Sequence, residues 1–149
     1  MTLDEEYMEK ALVLAQKAAE HGEVPVGAIV VDENGEIIGE GYNRREELQS
    51  PTAHAEIIAI EQAAKRLHNR RLSDCTLYVT LEPCPMCAGA IINARIKTLV
   101  FGAYDSRAGS IDSVINLCDY PYNHKPEIYG GICEDECTAV LQDFFKNLR

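Results

Sequence analysis

Residues 24–43 restrict the fold more than any other stretch, because they read as two strands joined by a tight turn. The segment VPVGAIVVD is a continuous apolar run, which is typical of a strand buried on both faces. The pair Asn34-Gly35 separates this run from EIIGEGYN, and Asn-Gly favours a tight hairpin turn. The sequence therefore predicts two antiparallel neighbouring strands.

Outside this hairpin, helix-like and strand-like segments alternate. Apolar spacing and helix-start signals predict helices at 4–22, 52–67 with Thr52 as N-cap, 85–96 with Pro85 in the first turn, 110–119 and 134–149. Runs of β-branched and aromatic residues predict strands at 75–81 and 97–104, with an edge strand at 126–132. No linker or repeat interrupts the pattern, so we expect one layered α/β domain over residues 1–149.

Charge and composition limit the classes of function. The 149-residue chain carries a formal net charge of −10, which argues against bulk binding of duplex nucleic acid, and its scattered Arg and Lys residues read best as solvated charges. The N-terminus MTLDEEYMEK is acidic, unlike a secretory signal, and no apolar run is long enough to span a bilayer. A cytoplasmic protein without a membrane partner is predicted, in which the six cysteines are thiols or metal ligands.

Cys84 and Cys87 form the motif PCPMC where a predicted strand meets a predicted helix. A C-x-x-C spacing in the first turn places both sulfurs on one side of a helix N-terminus, whose partial positive charge favours thiolates. The motif alone also fits a redox dithiol or half of a structural zinc site. With His54 as a third ligand, it predicts a zinc ion that keeps its fourth coordination position open, as catalytic zinc does.

Glu56 follows His54 at an interval of two residues, and side chains at this spacing point to different faces of a helix. Both can reach one site only if that site lies at the N-terminal end of the helix. The sequence therefore predicts that two helix N-termini converge on the metal. A carboxylate in this place can take a proton from a zinc-bound water and pass it to a leaving group.

The motifs HAE at 54–56 and PCPMC at 83–87 match the signature of the zinc-dependent nucleoside and nucleobase deaminases. The resemblance extends along the chain, through EVPVGAIVV, GYNRR, PTAHAEI, RLSDCTLYVTLEPCPMCAGAII, FGAYD, NHKPEI and FFKNLR. These blocks resemble the bacterial tRNA-specific adenosine deaminases of the zinc-dependent cytidine/deoxycytidylate deaminase superfamily.

This resemblance implies a cytidine-deaminase-like fold, with three α/β/α layers, a five-stranded mixed sheet and helices on both faces. It implies a homodimer with one Zn²⁺ per subunit, which acts on a tRNA anticodon stem-loop and converts the wobble adenosine to inosine with release of ammonia. By the same resemblance, Glu56 is catalytic and His54, Cys84 and Cys87 hold the zinc. The implied substrate contacts are Asn43, Ala55, Asp105, Asn123, Phe144, Phe145 and Arg149.

One segment departs from the family pattern. After FGAYD the chain reads SRAGSIDSVINL, where the family has a Gly- and Lys-containing loop, and the added Asp112 would weaken binding to phosphates. Two alternatives therefore stay open. The acidic charge favours a deaminase of a free nucleobase or nucleoside, of the guanine or cytosine type. The tail FFKNLR and the pair Arg44-Arg45 favour RNA instead. A non-catalytic zinc-binding subunit is a third possibility, against which the intact Glu56 argues.

Overall fold

Five strands form one mixed sheet at the centre of the protein. The computed structural model describes residues 1–148. The strands are β1 (Gly27–Val31), β2 (Ile37–Tyr42), β3 (Thr76–Leu81), β4 (Thr98–Ala103) and β5 (Glu127–Tyr129). Their spatial order is β2-β1-β3-β4-β5, in which β1 is antiparallel to β2 and β3, while β3, β4 and β5 run parallel. The predicted mixed sheet, its antiparallel hairpin and its edge strand are confirmed.

Helices cover both faces of this sheet. They are α1 (Leu3–Glu20), α2 (Arg45–Leu48), α3 (Ala55–Leu67), α4 (Pro85–Asn93) and α5 (Glu134–Asn147). Successive side chains of a strand point to opposite faces. Accordingly, Ile29 and Val100 lie in the core under α1 and α5, while Val30 and Leu99 lie in the core under α3 and α4. The predicted three-layer architecture is confirmed. No helix within residues 1–148 has both the length and the hydropathy needed to cross a bilayer.

The start of α3 differs from the prediction, because Thr52 is not its N-cap. The helix begins at Ala55 and its N-cap is His54. The amide N–H of Ala55 donates to the side-chain oxygen of Asn43 at 2.9 Å. A residue at the end of β2 thus satisfies an amide that a local cap would otherwise satisfy. This capping partner is distant in sequence, so a local pattern could not reveal it.

The prediction of a helix at 110–119 is also wrong. Only a short 3₁₀ turn, Leu117–Asp119, forms in this segment. The amides of Ile111, Asp112 and Ser113 donate to the carboxylate of Glu82 instead of to carbonyls within a helix. A buried acceptor outside the segment thus competes with the local helical hydrogen bonds.

Glycine at position 41 permits β2 to pack closely on α3. A Cβ atom there would lie 2.3 Å from the carbonyl oxygen of Ala55 and 2.9 Å from the amide nitrogen of Ala59. We therefore expect Gly41→Ala to lower the free energy of unfolding by about 1–3 kcal/mol, since backbone has to move to relieve the overlap. The matched control is Glu40→Ala, an exposed position in the same strand, with an expected change within about 0.5 kcal/mol. Urea unfolding measures both, and equal stability of the two variants would contradict the close packing.

Candidate active site

The N-termini of α3 and α4 meet at one point, as the spacing of His54 and Glu56 predicts. His54 is the N-cap of α3 and Cys84 is the N-cap of α4, both with extended backbone. Neither side chain makes the hydrogen bond to its own helix that is usual for an N-cap. The imidazole and the thiol lie beside each other, and Cys87 joins them from the first turn of α4.

The spacing of these three side chains fits a zinc ion. The Nδ1 atom of His54 lies 3.7 Å from the Sγ atom of Cys84 and 3.6 Å from that of Cys87. Tetrahedral coordination at ordinary Zn–N and Zn–S bond lengths separates nitrogen from sulfur by about 3.6 Å. All three ligand atoms lie within 4.8 Å of one another. Two thiolates and one imidazole also match the chemical preference of zinc, so both distance and ligand type are compatible with it.

The two cysteines differ in acidity. A hydrogen bond from the Cys87 thiol lowers the pKa of Cys84 to about 4, with a further contribution from His54. The same hydrogen bond, together with burial, raises the pKa of Cys87. The pKa of His54 is raised, mainly by its contact with Cys84. Zinc binds thiolates, so an ion held by both cysteines would displace any proton that remains on them.

Glu56 is almost entirely buried beside these ligands. It occupies the second position of α3 and is 4% exposed. Burial raises the pKa of Glu56 to about 7, although the positive charge of the nearby His54 opposes the shift. A carboxyl group with a pKa near neutrality is suited to accept and donate a proton in turn.

A pocket of about 210 Å³ opens onto this cluster. Its walls comprise Val24, Val26, Asn43, Arg45, His54, Glu56, Leu81, Glu82, Cys84, Asp105 and Ala108. Val24, Leu81 and Asp105 also border a larger groove of about 700 Å³, which continues to Tyr104, Arg107 and Phe145. The site thus consists of a small pocket, lined by both polar and apolar side chains, at the end of a wider groove.

Known proteins are similar to this chain in both sequence and fold. The family model of the MafB19-like deaminases matches residues 3–149. The chain is 49% identical over 150 residues to the tRNA-specific adenosine deaminase of Bacillus subtilis (strain 168), with 100% of this chain and 92% of that protein covered. The chain belongs to the tRNA-specific adenosine deaminase family. It is a hydrolytic deaminase, so the alternative of a non-catalytic zinc-binding subunit is rejected.

Solved structures of deaminases have the same fold as this chain. A structure from a study of A-to-I editing by tRNA:A34 deaminases at the wobble position of transfer RNA has a TM-score of 0.88 and 44% identity, over 91% of this chain and 99% of that one. The guanine deaminase from Nitrosomonas europaea has a TM-score of 0.80 and 25% identity, over 97% of this chain and 85% of that one. The predicted cytidine-deaminase-like fold is confirmed, and it is shared by an enzyme named for another substrate.

Asn43, an expected contact of the nucleoside, lines the pocket of the deaminase but already has protein partners. Asn43 caps the amide of Ala55 through its oxygen, and its nitrogen donates to the carbonyl oxygen of Val24 at 3.1 Å. The second N–H of the Asn43 amide is the group that a substrate can still use. Ala55, the other expected contact, is fully buried and is not among the residues that line the pocket.

The expected RNA contacts are spread more widely. Asp105 lines both pocket and groove, and Phe145 lines the groove with 49% of its surface exposed. Phe144 packs edge-to-face against Phe145. Asn123 lies elsewhere on the surface of the deaminase, where its carbonyl oxygen accepts from Arg95 at 2.9 Å. Arg149 lies outside the described residues.

Two further charged residues line the pocket. One is Arg45, a member of the pair that favours RNA, and the other is Glu82, which was not predicted as part of the site. Glu23 is buried but does not line the pocket, and its carboxylate accepts from the amides of Glu46 and Glu47 in α2. Burial favours a higher pKa for Glu82, but hydrogen bonds from Ser113 and from backbone amides outweigh it and lower this pKa. Glu82 directly follows a predicted buried strand, and this position is the sequence signal that could have indicated its place in the site.

Proposed function

We propose that this deaminase converts adenosine to inosine at the wobble position of a tRNA anticodon. The observation that carries the proposal is the groove beside the pocket, because a free base needs only the smaller pocket whereas a nucleotide within RNA needs surface for its neighbours. Tyr104 and Phe145 offer aromatic faces there, 45% and 49% exposed, and Arg107 adds a positive charge. Stacking on aromatic side chains and contact with basic groups are usual for single-stranded RNA.

His54, Cys84 and Cys87 would hold one zinc ion per subunit. When bound there, zinc supplies a Lewis acid that makes water nucleophilic near neutral pH. Glu56 would take a proton from the attacking water and deliver it to the ring nitrogen of adenine. It would then take the proton of the hydroxyl group newly bonded to the purine carbon and pass it to the departing amine as the carbon–nitrogen bond breaks. Water and adenosine thus give inosine and ammonia. Asn43 would orient the nucleoside through its remaining N–H. The fully buried Ala55 would act through Asn43, because its amide donates to the side-chain oxygen of Asn43 and so fixes the orientation of that side chain.

We propose that Asp105 and Phe145 contact the RNA from the groove. Asn123 does not line the pocket or groove of its own chain, so its proposed RNA contact would require a tRNA that extends across the surface or a second subunit. Arg149, at the C-terminal end of the chain, completes the proposed set. Because the substrate is tRNA, a cytoplasmic location is part of the same proposal.

The homodimer is also a proposal, supported by an exposed apolar patch. Val114, Ile115, Tyr120 and Tyr122 are exposed within a short segment that flanks the 3₁₀ turn. Several exposed apolar side chains so close together indicate a surface that a partner covers. Light scattering on the purified protein measures the mass directly, and a monomer at micromolar concentration would contradict the proposal.

An anticodon stem-loop distinguishes the tRNA substrate from a free base. We expect inosine formation in the stem-loop and no ammonia release from free guanine, cytosine or adenosine. In the same assay, Phe145→Ala should raise KM for the stem-loop about tenfold or more, which is the scale of one lost base–aromatic stack. Turnover of a free base with none on the stem-loop would overturn the proposed function and favour the free-base alternative.

A further inference from the structure

Glu82 is a buried carboxylate that the proposed chemistry does not use. It lies directly after β3 and is 2% exposed. An ionised carboxylate is stable in such a place only if it is hydrogen-bonded or paired. Within residues 1–148, no Lys or Arg side chain forms an ion pair with it. Its stabilising partners are the hydrogen-bond donors of a single loop.

That loop comprises residues 105–113 and wraps around the carboxylate. One oxygen of Glu82 accepts from the amide of Asp105 at 3.1 Å and from the hydroxyl of Ser113. The other accepts from the amides of Ile111, Asp112 and Ser113 at 3.2, 2.8 and 2.9 Å. Five donors thus converge on one side chain, so the carboxylate takes the place of regular secondary structure in this segment.

The loop also packs tightly against the carboxylate. A Cβ atom at Gly109 would lie 2.4 Å from the Cδ atom of Glu82 and 2.5 Å from the carbonyl oxygen of Asp105. The amide of Ser110 donates to the carbonyl oxygen of Pro83 at 2.8 Å, immediately before Cys84. The loop is therefore held against the strand end that precedes the metal-binding helix.

The loop forms one wall of the proposed substrate site. Asp105 and Ala108 line the pocket beside His54 and Glu56, and Asp105, Ser106 and Arg107 line the adjoining groove. The residues that a nucleotide would meet on this side thus take their position from a loop that Glu82 organises.

We propose that Glu82 is a positioning residue, which sets the distance between the 105–113 loop and the metal centre and thereby the binding of substrate. The substrate class rests on the proposed function, but the organisation of the loop does not. Loss of the carboxylate would move the loop and weaken substrate binding, while His54, Cys84 and Cys87 stay in place on their own helices.

Glu82→Gln is the direct test, performed on the full-length protein. Glutamine has a similar size but turns one acceptor oxygen into an N–H donor that faces the amides of the loop. We expect unchanged zinc content, a KM for the stem-loop raised about tenfold or more, and a kcat within about threefold of the wild type. We also expect faster hydrogen exchange of the amides of Asp105, Ile111, Asp112 and Ser113.

The matched control is Glu23→Gln, which alters another buried carboxylate that accepts from backbone amides. It should speed exchange at Glu46 and Glu47 but not at 105–113. Should the Glu82→Gln protein not fold, Gly109→Ala displaces the same loop while Glu82 stays, and it should give the same rise in KM.

Two outcomes would overturn the proposal. One is a wild-type KM together with unchanged exchange in a folded variant, and the other is loss of zinc, which would place the effect at the metal centre. If the wild type instead deaminates a free base, the proposed function fails. The exchange rates and the KM for that base still decide the role of Glu82.

Discussion

Glu56→Gln is expected to retain zinc and to lower kcat about 10²- to 10⁴-fold. This range is the usual contribution of a positioned proton donor and acceptor. Glutamine is close to glutamate in size and does not accept a proton at neutral pH, so packing in the buried site should change little while proton transfer stops. The effect should fall on kcat more than on KM, because the proton moves during the chemical step. Steady-state kinetics and metal analysis on the same preparation measure both quantities.

A second buried glutamate provides the comparison for this variant. Glu23 is 3% exposed, holds the amides of α2 and lies outside the metal cluster. Glu23→Gln should therefore retain zinc and reduce turnover far less than Glu56→Gln. Near wild-type kcat in Glu56→Gln would remove Glu56 from the proposed chemistry, and loss of zinc in it would indicate that Glu56 supports the metal.

Cys84→Ser is expected to lose both zinc and activity. A serine hydroxyl is a poor substitute for the soft thiolate that zinc prefers. Loss of the metal removes several kcal/mol of transition-state stabilisation, and each 1.4 kcal/mol or so is a factor of ten in rate. Stability should fall as well, since a metal that binds only the folded state stabilises it. Chelation of the wild type should reproduce both losses, and added Zn²⁺ should restore the chelated wild type but not the variant.

Cys133→Ser is the control for this experiment. Cys133 is the N-cap residue of α5 on the opposite face of the sheet, and it is not part of the metal cluster. The control should retain stoichiometric zinc and should respond to chelation as the wild type does. Zinc bound stoichiometrically to Cys84→Ser, or full activity of the chelated wild type, would contradict the proposed metal centre.

The fold does not decide between substrates. The same architecture is shared with a guanine deaminase at a TM-score of 0.80, so the substrate has to be argued from the walls of the site. Here those walls are the groove beside the pocket, with Tyr104, Phe145 and Arg107, and the loop around Glu82. Substrate tests on Phe145 and Glu82 therefore bear on specificity, while those on Glu56 and Cys84 bear on the chemical step.

The sequence alone determined the features that depend on neighbours in the chain. The apolar run before Asn34-Gly35 predicted an antiparallel hairpin, since turn chemistry and strand composition are local. The intervals between His54 and Glu56, and between Cys84 and Cys87, located a site at two helix ends because helix geometry fixes where such side chains point. These local signals were sufficient for the hairpin, a layered α/β domain and the proximity of the candidate metal ligands. The five-stranded mixed sheet with helices on both faces was predicted from the family resemblance.

Only the tertiary structure decided features that depend on hydrogen bonds between distant segments. Thr52 has the chemistry of an N-cap, yet α3 begins at Ala55 because Asn43 at the end of β2 caps it. Residues 110–119 read as a helix, yet their amides bind Glu82, which is about thirty positions away in the chain. A buried polar group requires a partner wherever the fold supplies one. That requirement overrides a local preference, and it acts only once the chain has folded.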